Sequence, residues 1–348
     1  VTWTYRPSGP NNGFQDWGPV ASQGRIYSPS GLNQVVALDA KNGKPLWSQS
    51  LVSNVFTVAL AEADGVLLAT TAITTSPTST LFGLAPASGK VLWDNRGQGQ
   101  PALGGIEGAP AVAEGVVYVG YLLYEGSGGM AAFEAKSGRL LWRWQNAGHS
   151  PTTSPMVSGG CVVVGFDDHV CYGLDAKTGE KIWLFGALPE VMSASPAASG
   201  GQVFVTAGQS LYALDLATGQ PRWQQSLGPL GASSLAVTGE WLFLGTRDSR
   251  LYAVQVSDGT TGWTTNLEAG AIEGAPAIDL QRHVLYVGAG RNQVLTVDMA
   301  TGDVLDRLTL GEGGKAGGIW RSSPALYQRR LYIGSLDQAL YAIEGRRR

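Results

Sequence analysis

The sequence predicts an all-β fold: an eight-bladed β-propeller of four-stranded antiparallel blades, one domain over residues 1–348. Three observations predict it. A phrase built on one glycine recurs at steps of 46, 49, 41, 40, 40 and 43 residues. A second phrase stands upstream of each copy, and the first residues of the chain match the one piece that the last copy lacks. A period of this size with alternating strands is that of one four-stranded sheet per repeat. At 348 residues the chain is longer than one continuous core ordinarily supports. A repeat array escapes that limit because each unit packs only on its neighbours.

The first phrase runs from an apolar strand through Asp39 to Gly43 and on to Trp47, and it returns with Gly89/Trp93, Gly138/Trp142, Gly179/Trp183, Gly219/Trp223 and Gly259/Trp263. A seventh copy keeps Asp298 and Gly302 but has Asp306 where Trp belongs. Side chains alternate faces along the strand, so alternate residues reach the neighbouring blades. The acid accepts hydrogen bonds from the turn's backbone N–H groups, and glycine supplies the positive φ that the turn needs. The indole then buries a large ring between two blades while its N–H finds a partner. These tryptophans are read as structural docking residues, not as a platform for substrate.

The second phrase is typified by Gly108-Ala109-Pro110-Ala111, with kin at Pro155, Pro196, Pro276 and Pro324. It reads as the two inner strands of each blade, with proline at a strand start where no ladder N–H is lost. Eight such phrases occur but only seven glycine turns, and the last blade stops at Tyr341 and Gly345 without a Trp strand. The segment Val1–Tyr5, carrying Trp3, is the spare piece, so it is expected to pair with the last blade and remove its open edge.

Bulk properties narrow the function classes. A formal net charge of -3 argues against a nucleic-acid partner, and the one basic run, Arg346 to Arg348, reads as a solvated end. No stretch approaches the roughly 20 apolar residues that span a bilayer. The chain starts at Val1 without a visible leader and is read as a mature or trimmed form. Cys161 and Cys171 share a hairpin. With Asp167-Asp168 as a two-residue turn they fall on opposite faces, which no disulfide can join. His149, His169 and His283 occur singly, so no metal site is expected. The glycine-rich run around Lys315 fails the P-loop pattern, and there is no Gly-x-Ser-x-Gly elbow, so no catalytic residue is assigned.

The run Leu211-Tyr212-Ala213-Leu214-Asp215 through Gly219 to Trp223 resembles the PQQ-repeat, or tryptophan-docking, motif, and the resemblance covers the chain end to end. The resemblance implies three trades. Quinoprotein dehydrogenases hold pyrroloquinoline quinone (PQQ) with Ca²⁺. BamB-type lipoproteins are cofactor-free periplasmic scaffolds in outer-membrane protein assembly. Sensor ectodomains of bacterial Ser/Thr kinases form the third group. The sequence departs from the dehydrogenases: its cysteines are ten residues apart rather than adjacent, its blades lack long excursions, and it has no Cys-x-x-Cys-His.

In propellers of this family the entrance of each inner strand rings a central funnel. The corresponding positions are Asp16, Thr57, Glu107, Thr152, Ser193, Ala232, Glu273 and Arg321. Glu273, Arg321 and Asp16 belong to consecutive blades, and Lys315 and Trp320 stand beside Arg321. The candidate funnel site is therefore Asp16, Glu107, Thr152, Glu273, Lys315, Trp320 and Arg321, and the competing reading is salt bridges lining a watery channel. The leading expectation is a non-catalytic extracytoplasmic scaffold that binds protein partners, with no cofactor. The alternative is a sensor ectodomain that holds PQQ or another small anion at the funnel, and the third is a quinoprotein oxidoreductase.

Overall fold

The computed structural model describes residues 1–7, 18–31, 33–51, 56–72, 80–95, 103, 105–106, 108–123, 126–186, 188–192, 194–227, 233–311, 322–335 and 337–344. They form eight four-stranded antiparallel sheets, the blades of a propeller, as the repeat predicts. Blade 1 comprises Val20–Ser22, Arg25–Ser30, Gln34–Asp39 and Pro45–Ser50, and blade 2 comprises Phe56–Ala63, Val66–Ala72, Thr80–Leu84 and Val91–Asp94. Blade 3 has Ala111–Ala113, Val116–Leu122, Gly128–Glu134 and Leu140–Asn146; blade 4 has Met156–Ser158, Cys161–Gly165, Cys171–Asp175 and Lys181–Phe185. Blade 5 follows with Ala197–Ser199, Gln202–Ala207, Ser210–Asp215 and Pro221–Ser226, and blade 6 with Ala236–Val237, Trp241–Gly245, Arg250–Gln255 and Thr261–Asn266. Blade 7 holds Ala277–Asp279, Val284–Ala289, Gln293–Asp298 and Val304–Thr309. Blade 8 takes Ala325–Tyr327, Arg330–Ser335 and Ala339–Glu344 from late in the chain and its fourth strand, Trp3–Tyr5, from the beginning. Trp3 pairs with Ala342 and Tyr5 with Leu340, so the expected closure by the N-terminal strand is present. Among the described residues no helix is long and apolar enough to cross a membrane.

By contacts the chain divides into two compact units: Val1–Gly31, Val36–Ser48 and Leu230–Arg348 in one, Leu32–Val35 and Gln49–Pro229 in the other. Five of the joints within the two units are made the same way. The indoles of Trp93, Trp142 and Trp183 donate to the carbonyls of Ala135, Ala176 and Leu216 in the following blade, at 3.0, 2.9 and 2.9 Å. In the other unit Trp263 donates to Met299 at 3.0 Å, and Trp3 of blade 8 donates to Ala40 of blade 1 at 3.1 Å. Each of these rings lies flat on the next blade's turn glycine. A Cβ at Gly43, Gly138, Gly179, Gly219 or Gly302 would sit 2.4–2.6 Å from the ring that covers it. Glycine is thus required twice there, for its φ near +70° and for the contact. The acid works as expected: Asp215 Oδ1 accepts from the backbone N–H groups of Ala217 and Thr218, and Asp39, Asp175 and Asp298 repeat the pattern.

Two features were not legible beforehand. In blades 2 to 7 the pairing of the third strand with the fourth slips by one residue next to the docking position. In blade 4, Gly173 pairs with Trp183 and Leu174 with Lys181, which leaves Ile182 as a bulge. The bulge aims the tryptophan at the next blade and pushes the residue before it outward. That is why Leu92, Leu141 and Ile182 are exposed.

The second is a correction. Phe166 N–H donates to Val170 O, and His169 has φ +63°, so the blade 4 hairpin carries a three-residue loop, Asp167-Asp168-His169. Cys161 then pairs with Asp175 and Cys171 with Gly165. The two cysteines lie on the same face, not on opposite faces. Four residues at about 3.4 Å each still separate them along the strands, too far for a disulfide, and both are free. Burial pushes the Cys161 thiol up to about 11 and that of Cys171 higher still.

Candidate functional site

First strands of blades 2 and 3, 3 and 4, and 4 and 5 pack on one another in one unit, and those of blades 7 and 8 and of 8 and 1 do so in the other. The Gly-Ala-Pro and Ser-Pro phrases stand where these strands begin, and the structure explains both. A Cβ at Gly108 would meet Ser154 Oγ at 2.8 Å, and one at Gly274 would meet Ser322 O at 2.8 Å. Blade 3 and blade 7 therefore need glycine to let the next blade in. Ser154 Oγ accepts from the N–H of Ala109 at 2.8 Å, and Ser323 Oγ accepts from that of Ala275 at 3.0 Å. Serine before proline hence bonds one inner strand to the one before it. Sequence reasoning noticed the proline and passed over the serine, although Thr-Ser-Pro and Ser-Ser-Pro recur.

Two of the seven funnel candidates fall among the described residues. Thr152, partly buried, donates its N–H and its hydroxyl to Gly165 O at 2.9 and 3.3 Å, so it fastens the entrance to its own blade. Glu273 turns its carboxylate to Arg247 of blade 6, Nε to Oε1 at 3.2 Å. The arginine was missed because it lies on the hairpin of the preceding blade, remote in sequence. Ile272 N–H donates to Thr246 O at 3.1 Å and brings the two together. Arg247 is 57% exposed and Glu273 20%, so the pair is a wet one worth about 1 kcal/mol or less. Glu273 thus has a salt-bridge partner supplied by the hairpin of blade 6. Asp16, Glu107, Lys315, Trp320 and Arg321 lie outside the described residues, as do Ser193, Ala232 and the side chain of Thr57.

The remaining polar groups near the hairpin ends serve the fold. His149 Nδ1 and the N–H of Ser150 both meet Asp167 Oδ1 at 3.0 Å. Asp168 Oδ2 accepts from Tyr172 OH at 2.6 Å and from Asn146 Nδ2 at 3.0 Å. Burial, followed by Asp168, pushes the Tyr172 phenol up to about 12. No three His, Cys, Asp or Glu side chains converge among the described residues in a way that could hold a metal ion.

The family model described as "Outer membrane protein assembly factor BamB" matches residues 2–121, 77–229 and 167–348. The chain belongs to this family. A curated member, the outer membrane protein assembly factor BamB of Moranella endobia, is 24% identical over 291 residues, 75% of this chain and 70% of its own length. The family's sequence neighbourhood also reaches enzymes: a tetrathionate hydrolase of Acidithiobacillus ferrooxidans is 24% identical, over 67% of this chain and 54% of its own. Among solved structures, BamB from Moraxella catarrhalis superposes with a TM-score of 0.72 at 17% identity, covering 99% of this chain and 97% of its own. The computationally designed protein Ika8 superposes with a TM-score of 0.78, also at 17% identity, over 97% and 98% of the two chains. A designed protein matches the backbone at least as well as a natural BamB, so the fold carries no function by itself.

Proposed function

We propose that this chain is a non-catalytic scaffold that works outside the cytoplasm and binds protein partners during outer-membrane protein assembly. The observation that carries this reading is the family match, which runs from residue 2 to residue 348 rather than over a few blades. The geometry supports it. The described polar groups at the inner-strand entrances are spent on the blades themselves: Thr152 on Gly165, Ser154 on Ala109, Ser323 on Ala275 and Glu273 on Arg247. Among the described residues each blade is four short strands, with no further strand or helix inserted between them. What they present to a partner is strand edges and short hairpins.

The test is depletion of the chain in cells that make it, with quantitation of β-barrel proteins in the outer membrane. The reading predicts a fall in assembled barrels, restored by the full chain; unchanged barrel levels contradict it. Calorimetric titration with PQQ, with and without Ca²⁺, separates the sensor and oxidoreductase readings. A scaffold gives no heat in either condition, and saturable heat overturns the cofactor-free part of the proposal.

A further inference from the structure

We propose that Asn42 is a deamidation site governed by blade 8: held silent while the strand Trp3–Tyr5 is docked, and released when that strand leaves. Of the seven turn glycines, Gly43 is the one preceded by a carboxamide; Ser, Thr or Asp stands before the others. An Asn-Gly pair is chemically special because glycine has no side chain to hinder its own backbone nitrogen. That nitrogen attacks Cγ of Asn42, and the new N–C bond closes a five-membered succinimide. The carboxamide nitrogen leaves as ammonia, taking the proton that the Gly43 nitrogen loses. Water then opens either C–N bond of the ring, giving aspartate or its β-linked isomer at position 42. Only solvent water is consumed, and Asn42 is exposed to it.

The folded turn opposes the first step at both reacting ends. The attacking N–H of Gly43 is donated to Asp39 O at 2.8 Å, and Asn42 Oδ1 accepts from Lys44 N–H at 2.9 Å. The turn is clamped in turn by blade 8. Ala40 O accepts from Trp3 Nε1 at 3.1 Å, Tyr332 OH at 3.0 Å and Arg330 Nη1 at 3.2 Å, and Lys41 O accepts from Arg330 Nη1 at 2.8 Å. The Trp3 ring covers Gly43 itself. Succinimide formation needs the backbone of Asn42 and Gly43 to swing out of this arrangement, so its rate follows the fraction of time the clamp is open. The β-linked product lengthens the main chain by one carbon immediately before Gly43, the glycine that the Trp3 ring covers too closely to admit a Cβ. One opening event that ends in chemistry would thus alter the turn on which the strand docks.

Peptide mass spectrometry of the whole chain aged in mildly alkaline buffer tests this. Wild type should convert Asn42 far more slowly than the same chain unfolded in urea. Trp3→Ala should accelerate conversion about tenfold, and Arg330→Ala, which keeps the ring, by a smaller factor. Trp93→Ala removes a docking ring from the other unit and should leave the Asn42 rate unchanged. The proposal is overturned if folded wild type converts as fast as the unfolded chain, or if neither blade 8 variant accelerates it. It is equally overturned if Trp93→Ala accelerates it as much as Trp3→Ala does.

Discussion

The joint between blades 3 and 4 and the joint between blades 7 and 8 use the same backbone and hold it differently. At the first, the seven-residue strand Leu140–Asn146 sends two rings across. Trp142 lies on Gly179, and Trp144 meets Tyr172 and Phe166 with ring centroids 5.2 and 5.6 Å apart. Asn146 adds bonds to Asp168 and Tyr172. At the second, the docking position is Asp306, exposed to solvent and accepting from the backbone N–H of Arg307. Aliphatic packing takes over there, with Leu305, Leu308 and Leu310 in one cluster with Leu331, Ile333 and Tyr341. The difference teaches what a docking ring needs. Its floor is the turn between the third and fourth strands of the next blade. In blade 8 those strands are Ala339–Glu344 and Trp3–Tyr5, from distant parts of the chain, and no hairpin joins them. A tryptophan at 306 would have no such turn to rest on, so Asp306 is explained by the closure itself.

Blade 8 has its own fastener in place of the turn. Arg6, just past the closing strand, donates to Asp337 O at 2.6 Å and to Asp337 Oδ2 at 3.0 Å, and Tyr341 OH bonds to the same carboxylate. Asp337 is 7% exposed and Arg6 48%. Burial, with Asp337 next, pushes the Tyr341 phenol up to about 12.

Substitutions can break or sharpen the contrast. The largest effect is expected from Trp142→Ala, about 3–5 kcal/mol by denaturant unfolding, because it removes a buried ring and leaves Ala176 O without its indole donor. A loss below about 1 kcal/mol would mean that the docked ring is not what binds the blades. Arg6→Ala should cost about 1–2 kcal/mol, since a buried carboxylate loses a half-exposed partner. Asp306→Trp should change stability by no more than about 0.5 kcal/mol in either direction. Marked stabilisation would show that a floor for the ring exists after all. The smallest effect concerns acid. Asp215 is held down to about 2, first by Arg222, then by Thr218, and Asp175 and Asp298 are lowered by their turn N–H groups. Carboxylates with depressed folded values contribute stability above the unfolded value of about 4 and lose it as pH falls through the folded value. The melting temperature should therefore drop between about pH 4 and pH 2, and Asp215→Asn should make that drop slightly shallower.

The parts legible in the sequence were those where one residue type alone can serve. Gly43 and its kin must be glycine for both φ and contact, and Trp142 and its kin must be large with an N–H, so the phrase survives repetition. Closure was legible by counting, since Trp3 is a docking ring without a blade of its own. The bulge was not, because any residue tolerates that outward position: Leu92, Leu141, Ile182, Arg222 and Gly262 all occupy it. The cysteine register failed on one residue, His169, whose left-handed φ turned a two-residue loop into three. At the entrance, the arginine that pairs with Glu273 was not legible, because Arg247 arrives from another blade's hairpin.

Native-state hydrogen exchange tests the central claim, that cohesion between blades resides in rings docked on turn glycines, most directly. Amides of Cys171–Asp175 in blade 4 and of Gln293–Asp298 in blade 7 are both third-strand amides, one set beside the joint that Trp142 and Trp144 cross and one beside the joint whose docking position is Asp306. The account predicts that the blade 7 set opens at a free energy lower by about 1–3 kcal/mol, and that Trp142→Ala brings the two sets together. Equal protection in wild type, or greater protection in blade 7, would contradict it.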